Sequence, residues 1–282
     1  MKSFLNKLWQ KYALAAALWL LFEALAVGLW LALDNRFYLF NFSYIGSALA
    51  LGVALFTQKR PWARKVVQFA IGLYLLVYVG LLGRENMQLE GFWYYLFLGV
   101  FEAATLHYAI AKIFGPLFFG RGWCGYACWT AMILDLLPFK TPALPRKSWG
   151  WVRYLVFAGS LIFVVVLFRL KPDNMAQIMW WSFIIGNLVY YLVGITLAYI
   201  CRDNRAFCKY ICPITVFLKP MSYFSLLRVR VDETKCIDCG KCRWLCPMNV
   251  DVPDNSRRRQ HGTECILCMR CVDECPQKAL KC

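Results

Sequence analysis

Cys236-Ile237-Asp238-Cys239-Gly240-Lys241-Cys242-Arg243-Trp244-Leu245-Cys246-Pro247 and, further on, Cys265-Ile266-Leu267-Cys268-Met269-Arg270-Cys271-Val272-Asp273-Glu274-Cys275-Pro276 repeat one spacing, Cys-x2-Cys-x2-Cys-x3-Cys-Pro. Three thiolates at this spacing wrap a tight loop around one face of an iron–sulfur cubane. The fourth, followed by Pro, starts the next element and reaches the other cubane. The spacing therefore assigns one [4Fe–4S] cluster to Cys236, Cys239, Cys242 and Cys275, and a second to Cys265, Cys268, Cys271 and Cys246. Zinc also takes four thiolates, but two tandem copies, each closed by proline, argue against it. Gly240 suits a tight turn beside the first cluster. Leu227-Arg228-Val229-Arg230-Val231-Asp232 alternates and predicts a short strand. Residues 223–282 thus read as a small α+β two-cluster module of bacterial-ferredoxin type.

The chain ahead of this module is of another character. Of 282 residues, 60% are hydrophobic and 17% charged, against about 45–50% apolar in soluble domains, and mean hydropathy is +0.49. The excess lies in six apolar runs, residues 13–33, 39–56, 66–83, 91–113, 152–168 and 178–200, most near the roughly 20 residues a spanning helix needs. The fold expected is an α-helical integral membrane protein with about six spans over 1–222, including cytoplasmic loops at 114–150 and 201–222, followed by the module at 223–282. Lys2, Lys7, Lys11, Lys59, Arg60, Arg64, Lys65, Arg121, Lys140, Arg146, Lys147 and Arg153 fall in one set of loops. Arg36, Arg84, Arg169 and Lys171 fall in the other. The richer set belongs in the cytoplasm, which puts both termini and the module there, in the inner (cytoplasmic) membrane. The first run is too long for a signal peptide's apolar region and reads as an uncleaved anchor. A net charge of +16 follows from this loop pattern. The basic residues form no single face for nucleic acid.

Arg121-Gly122-Trp123-Cys124-Gly125-Tyr126-Ala127-Cys128 recurs as Arg205-Ala206-Phe207-Cys208-Lys209-Tyr210-Ile211-Cys212, 84 residues on (121 to 205). The same offset lays the third run on the fifth and the fourth on the sixth, an internal repeat with a pseudo-two-fold axis along the membrane normal. Cys-x3-Cys puts both sulfurs of a pair on one helical face, so Cys124, Cys128, Cys208 and Cys212 can converge on one soft-ligand centre at the membrane edge, an iron–sulfur cluster (a [2Fe–2S] centre is one form) or zinc. Redox-active dithiols, a disulfide and buried structural cysteines stand as alternatives. Arg121 and Arg205 either neutralise thiolate charge or snorkel to the interface. Cys201 and Cys282 fit no motif, and Arg257-Arg258-Arg259 reads as a solvated loop, with contact to anionic lipid or an acidic partner as the alternative.

Glu102 and His107 are ionisable residues inside the fourth run, a candidate site for a quinone headgroup or its protons; an interfacial histidine with satisfied hydrogen bonds is the alternative for His107. Glu23, in the first run, is a further candidate for the quinone or proton role, with pairing between helices as the alternative. The only other histidine, His261, lies in the module, so bis-histidine haem in the spans is unsupported. No CxxCH motif appears, no Rossmann GxGxxG follows a strand, and no P-loop is seen.

Arg-x-aromatic-Cys-x3-Cys after a span, its repeat, and two ferredoxin motifs together resemble the NapH-type membrane polyferredoxins, the quinol dehydrogenase subunits of periplasmic nitrate reductase systems. Methylamine-utilisation ferredoxins and NosR-type regulators share the core. Cys208-x3-Cys212-Pro213 matches the family's Cys-x3-Cys-Pro loop fully. Cys124-x3-Cys128 is followed by Trp129 where the family has proline. The family is often drawn with four spans, where six are read here. No N-terminal flavin-binding domain and no C-terminal immunoglobulin-like domain are expected. The resemblance implies an electron-transfer subunit of a membrane oxidoreductase, passing electrons between the quinone pool and an iron–sulfur or reductase partner subunit. The competing reading is a copper or thiol reductase in the maturation of a respiratory enzyme, with the Cys-x3-Cys pairs as the working site. Redox-coupled transport is disfavoured by the few intramembrane charges.

Overall fold

The computed structural model describes residues 2–101, 103–257 and 263–282, with the side chains of 2–11, 103 and 255–257 left out. Glu102, Arg258, Arg259 and His261 lie outside the described residues. The chain divides into two compact units, Met1–Gly72 and Leu73–Cys282.

The first unit is built on a helical hairpin, α1 (Lys2–Leu33) and α2 (Arg36–Thr57), followed by α3 (Ala63–Leu73). Small residues let the backbones close. A side chain at Gly46 would stand 2.3 Å from Phe22 Cβ, and one at Gly52 would stand 2.2 Å from Val67. Polar side chains then join the helices across apolar surroundings. Ser43 donates to Glu23 Oε2 at 2.7 Å, so the half-buried acid of the first run is a helix-pairing group. Tyr44 donates to the Ala70 carbonyl at 3.1 Å.

The second unit carries the remaining elements. A π-helical stretch, Tyr74–Leu82, continues α3. After it come α4 (Leu89–Leu98), α5 (Ala103–Tyr108), a π-helical Ala109–Phe114, α6 (Gly115–Phe119), α7 (Gly122–Tyr126) and α8 (Trp129–Leu134). Next are the long α9 (Val152–Leu170) and α10 (Met175–Cys201), then α11 (Ala206–Tyr210) and α12 (Thr215–Tyr223). Asn86 ties the start of α4 to α10, donating to the Met179 carbonyl and to Ser182 Oγ, both at 2.9 Å.

Five helices among the described residues are long and apolar enough to cross a membrane: Tyr12–Leu33, Arg36–Thr57, Ala63–Leu82, Trp149–Leu170 and Met175–Cys201. The fourth run of the sequence, 91–113, is not one helix. Gly99, at φ +71°, ends α4 in a left-handed cap, and the chain restarts as the shorter apolar helix Ala104–Phe119. Hydropathy reads the run as continuous because its break lies in backbone conformation. The repeat is accordingly closest in the Cys loops. Helices α7 and α11 occupy the same 84-residue offset (122 to 206), and Cys128 and Cys212 donate to the carbonyls of Trp123 and Phe207 at 3.2 and 3.0 Å.

The C-terminal module contains β1 (Arg230–Val231), α13 (Lys241–Leu245), α14 (Val252–Arg257), α15 (Arg270–Asp273) and β2 (Leu280–Lys281). Strand β1 pairs antiparallel with β2, Arg230 opposite Lys281 and Val231 opposite Leu280. The strand is shorter than the alternation at 227–232 predicts. The amides of Leu226 and Leu227 bond instead to the Leu117 and Phe118 carbonyls, at 2.9 and 2.7 Å, capping the open end of α6.

Candidate iron–sulfur sites at the module and the membrane edge

Each half of the module turns through the left-handed region at matched positions. Asp238, Gly240 and Asn249 have φ of +50°, +73° and +51°; Leu267, Met269 and Lys278 have +51°, +62° and +48°. Successive residues of this kind turn backbone N–H groups inward, a concavity suited to an anionic group. One hollow is ringed by Cys236, Cys239, Cys242 and Cys275 with Pro253, Pro276 and Leu280. A second is ringed by Cys246, Cys265, Cys268 and Cys271 with Val229, Pro247 and Val252. The fourth cysteine of each motif thus sits with the first three of the other. Val250 and Ala279 donate their amides to Cys246 Sγ and Cys275 Sγ at 3.3 and 3.4 Å; such bonds to sulfur tune a cluster's potential. Burial pushes the Cys265 thiol up to about 12, so thiolate there calls for a bound cation. Among the described residues, no three Cys, His, Asp or Glu side chains close on one point as a single ion's ligands would. A cubane offers a separate iron to each sulfur, so its ligands stand farther apart, and the two rings fit that group.

The membrane-edge cysteines come together as well. Cys124 and Cys208 are buried in one apolar cluster with Leu218, Met248, Val250 and Ile266, and Cys128, Cys246 and Cys268 pack against it. Cys212 faces them. Its thiol is pushed up by burial and then by the Cys124 thiol, and is eased down by the Arg121 guanidinium. Burial, then Cys124, likewise raises Cys128. Cys208 is pushed up to about 12, chiefly by burial, against the pull of Arg205. Cys201 packs with Ala206 and Tyr210, and Cys282 is exposed.

Arg121 and Arg205 are 0% and 1% exposed, so neither snorkels. Each reaches into the other copy of the repeat: Arg205 donates to the Cys124 carbonyl at 3.0 Å and Arg121 to the Cys208 carbonyl at 3.4 Å. Arg205 also forks onto Asp135, at 2.7 and 2.5 Å. Burial opposes its charge, but Asp135 and Cys208 hold the guanidinium protonated. Arg121 pairs with Glu264, which Arg146 and Arg153 also contact, at 2.9 and 3.2 Å. The Glu264 clamp joins residues 111 to 143 apart in sequence, and no local pattern announces it.

Trp129 takes the place of proline without disturbing the loop. Cys128 keeps an extended backbone, φ −75° and ψ 119°, the conformation a following proline imposes, and the indole donates to Asn187 Oδ1 at 2.8 Å.

His107 stacks edge-on against Trp123, 5.0 Å between ring centres, and its Nε2 is buried without a hydrogen-bond partner, as are Tyr108 OH and Glu90 Oε2. Glu90, Tyr190, Cys212 and Cys128 are the electrostatic neighbours of Tyr108. Lys112, 2% exposed, lies over the Trp123 ring at 4.8 Å. Its position inside the fourth apolar run was the signal for it, although Glu102 and His107 drew the reading there.

A family model for a 4Fe-4S dicluster domain matches residues 235–280. An uncharacterized protein of Methanocaldococcus jannaschii is 25% identical over 88% of this chain and 95% of its own length. The methylamine utilization ferredoxin-type protein MauN of Methylobacillus flagellatus is 26% identical over 70% of this chain and 79% of its own. The ferredoxin-type protein NapH of Haemophilus influenzae is 23% identical over 61% and 66%. No solved structure matches. The dicluster match at the module, the apolar spans ahead of it, and ferredoxin-type relatives covering both make the chain similar to the NapH-type membrane ferredoxins and support a membrane protein that carries electrons through [4Fe–4S] chemistry.

Proposed function

We propose that this chain passes electrons between the membrane quinone pool and iron–sulfur partners. Two [4Fe–4S] clusters sit in the cytoplasmic module, residues 223–282. A third centre is held by Cys124, Cys128, Cys208 and Cys212 at the cytoplasmic edge of the membrane part, residues 1–222. When bound, each centre accepts or gives one electron. The observation that carries the reading is the packing of Cys124, Cys128 and Cys208 in one cluster with Cys246 and Cys268, which gives adjacent electron carriers no polar gap to cross. Arg121, Arg205 and Lys112 supply positive charge beside sulfur that is anionic when it holds iron. His107, Tyr108 and Glu90 offer unpaired buried polar atoms, Tyr108 with Cys128 and Cys212 among its electrostatic neighbours, for a quinone headgroup and its protons; Glu102 belongs to the same stretch of sequence.

The test is anaerobic purification, with iron and sulfide counting and EPR. Two cubanes give about 8 iron atoms. Iron beyond that, lost in Cys124→Ser or Cys208→Ser, is expected for the third centre. Quinol added to the protein with an iron–sulfur acceptor should reduce the clusters; clusters that stay oxidised sink the quinone part of the reading.

A further inference from the structure

The two cubane sites are not equivalent with respect to the membrane-edge thiols. Cys246 and Cys268 share the apolar cluster of Cys124, Cys128 and Cys208. Ile266, between Cys265 and Cys268, lies so close to α7 that a side chain at Gly125 would stand 2.4 Å from its carbonyl oxygen. Tyr126 donates to the Leu267 carbonyl at 2.8 Å. The second Cys loop holds the other end of the same ring: Lys209, salt-bridged to Asp203 at 2.7 Å, contacts Asn249, three residues past Cys246. Each copy of the repeat thus grips one of the two segments that furnish Cys246, Cys265, Cys268 and Cys271.

Cys242 and Cys275 of the other ring pack instead around Val229, Val252, Leu267 and Leu280, with Phe119 and Tyr126. Cys239 is exposed, and Ile237 and Trp244 beside it are 63% and 68% exposed.

Glu264 stands at the hinge of this asymmetry. It immediately precedes Cys265 and takes three guanidiniums from the membrane-edge loops. Arg121 also donates to the Cys208 carbonyl and to Thr215 Oγ1, at 3.4 and 3.3 Å. Arg146 and Arg153 also donate to the Lys209 carbonyl. One buried carboxylate therefore fixes the second ring against both Cys loops.

We propose that Cys246, Cys265, Cys268 and Cys271 form the inner seat of the relay, stacked on the membrane-edge thiols; that Cys236, Cys239, Cys242 and Cys275 form the outer seat; and that Glu264 is the positioning residue that sets the inner one. This rests on the function proposed above. Electron tunnelling falls off exponentially with distance, so packing order is transfer order, in either direction. Each step moves one electron between iron–sulfur centres, one oxidised as its neighbour is reduced, with no bond or proton exchanged. The outer seat is then the one that meets a water-soluble iron–sulfur partner.

The order is tested on the full chain, purified without oxygen, by the effect of a water-borne dysprosium chelate on EPR relaxation. Single-cubane variants, Cys239→Ser and Cys268→Ser, assign the signals. Strong relaxation enhancement of the Cys236 set and weak enhancement of the Cys265 set is expected; equal or reversed enhancement overturns the order. If those variants do not fold, the unaltered protein is stripped stepwise with ferricyanide and chelator, and freed thiols are alkylated and mapped by mass spectrometry. Cys236, Cys239, Cys242 and Cys275 should be labelled before Cys246, Cys265, Cys268 and Cys271; simultaneous or opposite labelling refutes the assignment. Glu264→Gln should raise the chelate's effect on the inner signal with iron content retained, and Glu264→Asp should recover part of the protection. An unchanged inner signal in Glu264→Gln removes Glu264 from the role. Iron and sulfide counted on the same samples separate the two claims: fewer than two cubanes in the starting protein defeats the proposed function, whatever the order.

Discussion

Gly125 has no room for a methyl group, because the Ile266 carbonyl oxygen would lie 2.4 Å away. Gly125→Ala should push the second Cys motif off α7 at about 1–3 kcal/mol, the usual cost of overpacking. The effect should be seen as earlier thermal loss of cluster absorbance, while Gly159→Ala, with nothing within 4 Å, should melt like the parent. Arg205 presents a different kind of dependence. Its fork meets Asp135 at two points while a third donor holds the Cys124 carbonyl. Breaking a buried pair from one side costs roughly 3–5 kcal/mol, and lysine cannot reproduce the fork. Arg205→Ala and, to a smaller degree, Arg205→Lys should lower the melting temperature in detergent; a variant that melts unchanged would show that the pair carries no such load. The sequence marked Arg121 and Arg205 as matched positions because the repeat is local. Their depth was not legible, since it depends on Glu264 and Asp135, which lie 143 and 70 residues away.

At the scale of elements, the eight module cysteines were readable because cluster ligation imposes fixed short spacings. The rings they form close within a chain segment of modest length. The span count was less so. Residues 91–113 carry uniform hydropathy, yet Gly99 takes φ +71° and its amide turns back to the Tyr95 and Leu96 carbonyls, ending α4. An L-residue pays about 1–2 kcal/mol in that conformation, and nothing crowds Gly99 within 4 Å. Gly99→Ala should therefore destabilise by about that amount through backbone strain alone, with Gly99→Asn milder, in a thermal melt of the detergent-solubilised protein. An alanine variant as stable as the parent would mean that the helix runs on through this point. The short β1 follows the same logic: alternation at 227–232 signals extended chain, but only the partner decides where pairing stops. The amides of Leu226 and Leu227 are taken by α6.

Across the whole molecule, basic side chains concentrate where the membrane-edge cysteines converge. Arg121, Arg146, Arg153, Arg205, Lys209 and Lys112 gather around the thiols, while Glu264, Asp135 and Asp203 are the carboxylates that pair with them. Iron–sulfur cores held by four thiolates are anionic, and they would supply the missing negative charge. Without iron, burial favours neutral thiols: Cys208 and Cys265 both rise from an ordinary value near 9 to about 12. The folded, metal-stripped protein then keeps protons between about pH 9 and pH 12 that the unfolded chain has released. Stability falls with rising pH wherever the native state binds more protons, by about 1.4 kcal/mol per pH unit for each such thiol. The contribution is whole below about pH 9 and is lost as pH climbs toward 12. In protein loaded as proposed above, the same sulfurs would be thiolates on iron with no proton to lose. Lysines, tyrosines and arginines that titrate in this range are common to both forms and cancel in the comparison. Unfolding midpoints of stripped and intact protein, taken in one detergent from about pH 8 to pH 11, should therefore diverge with pH, the stripped form falling faster. Parallel curves would mean that these thiols do not change protonation when iron is bound, and that the surplus of buried positive charge is balanced by something other than clusters.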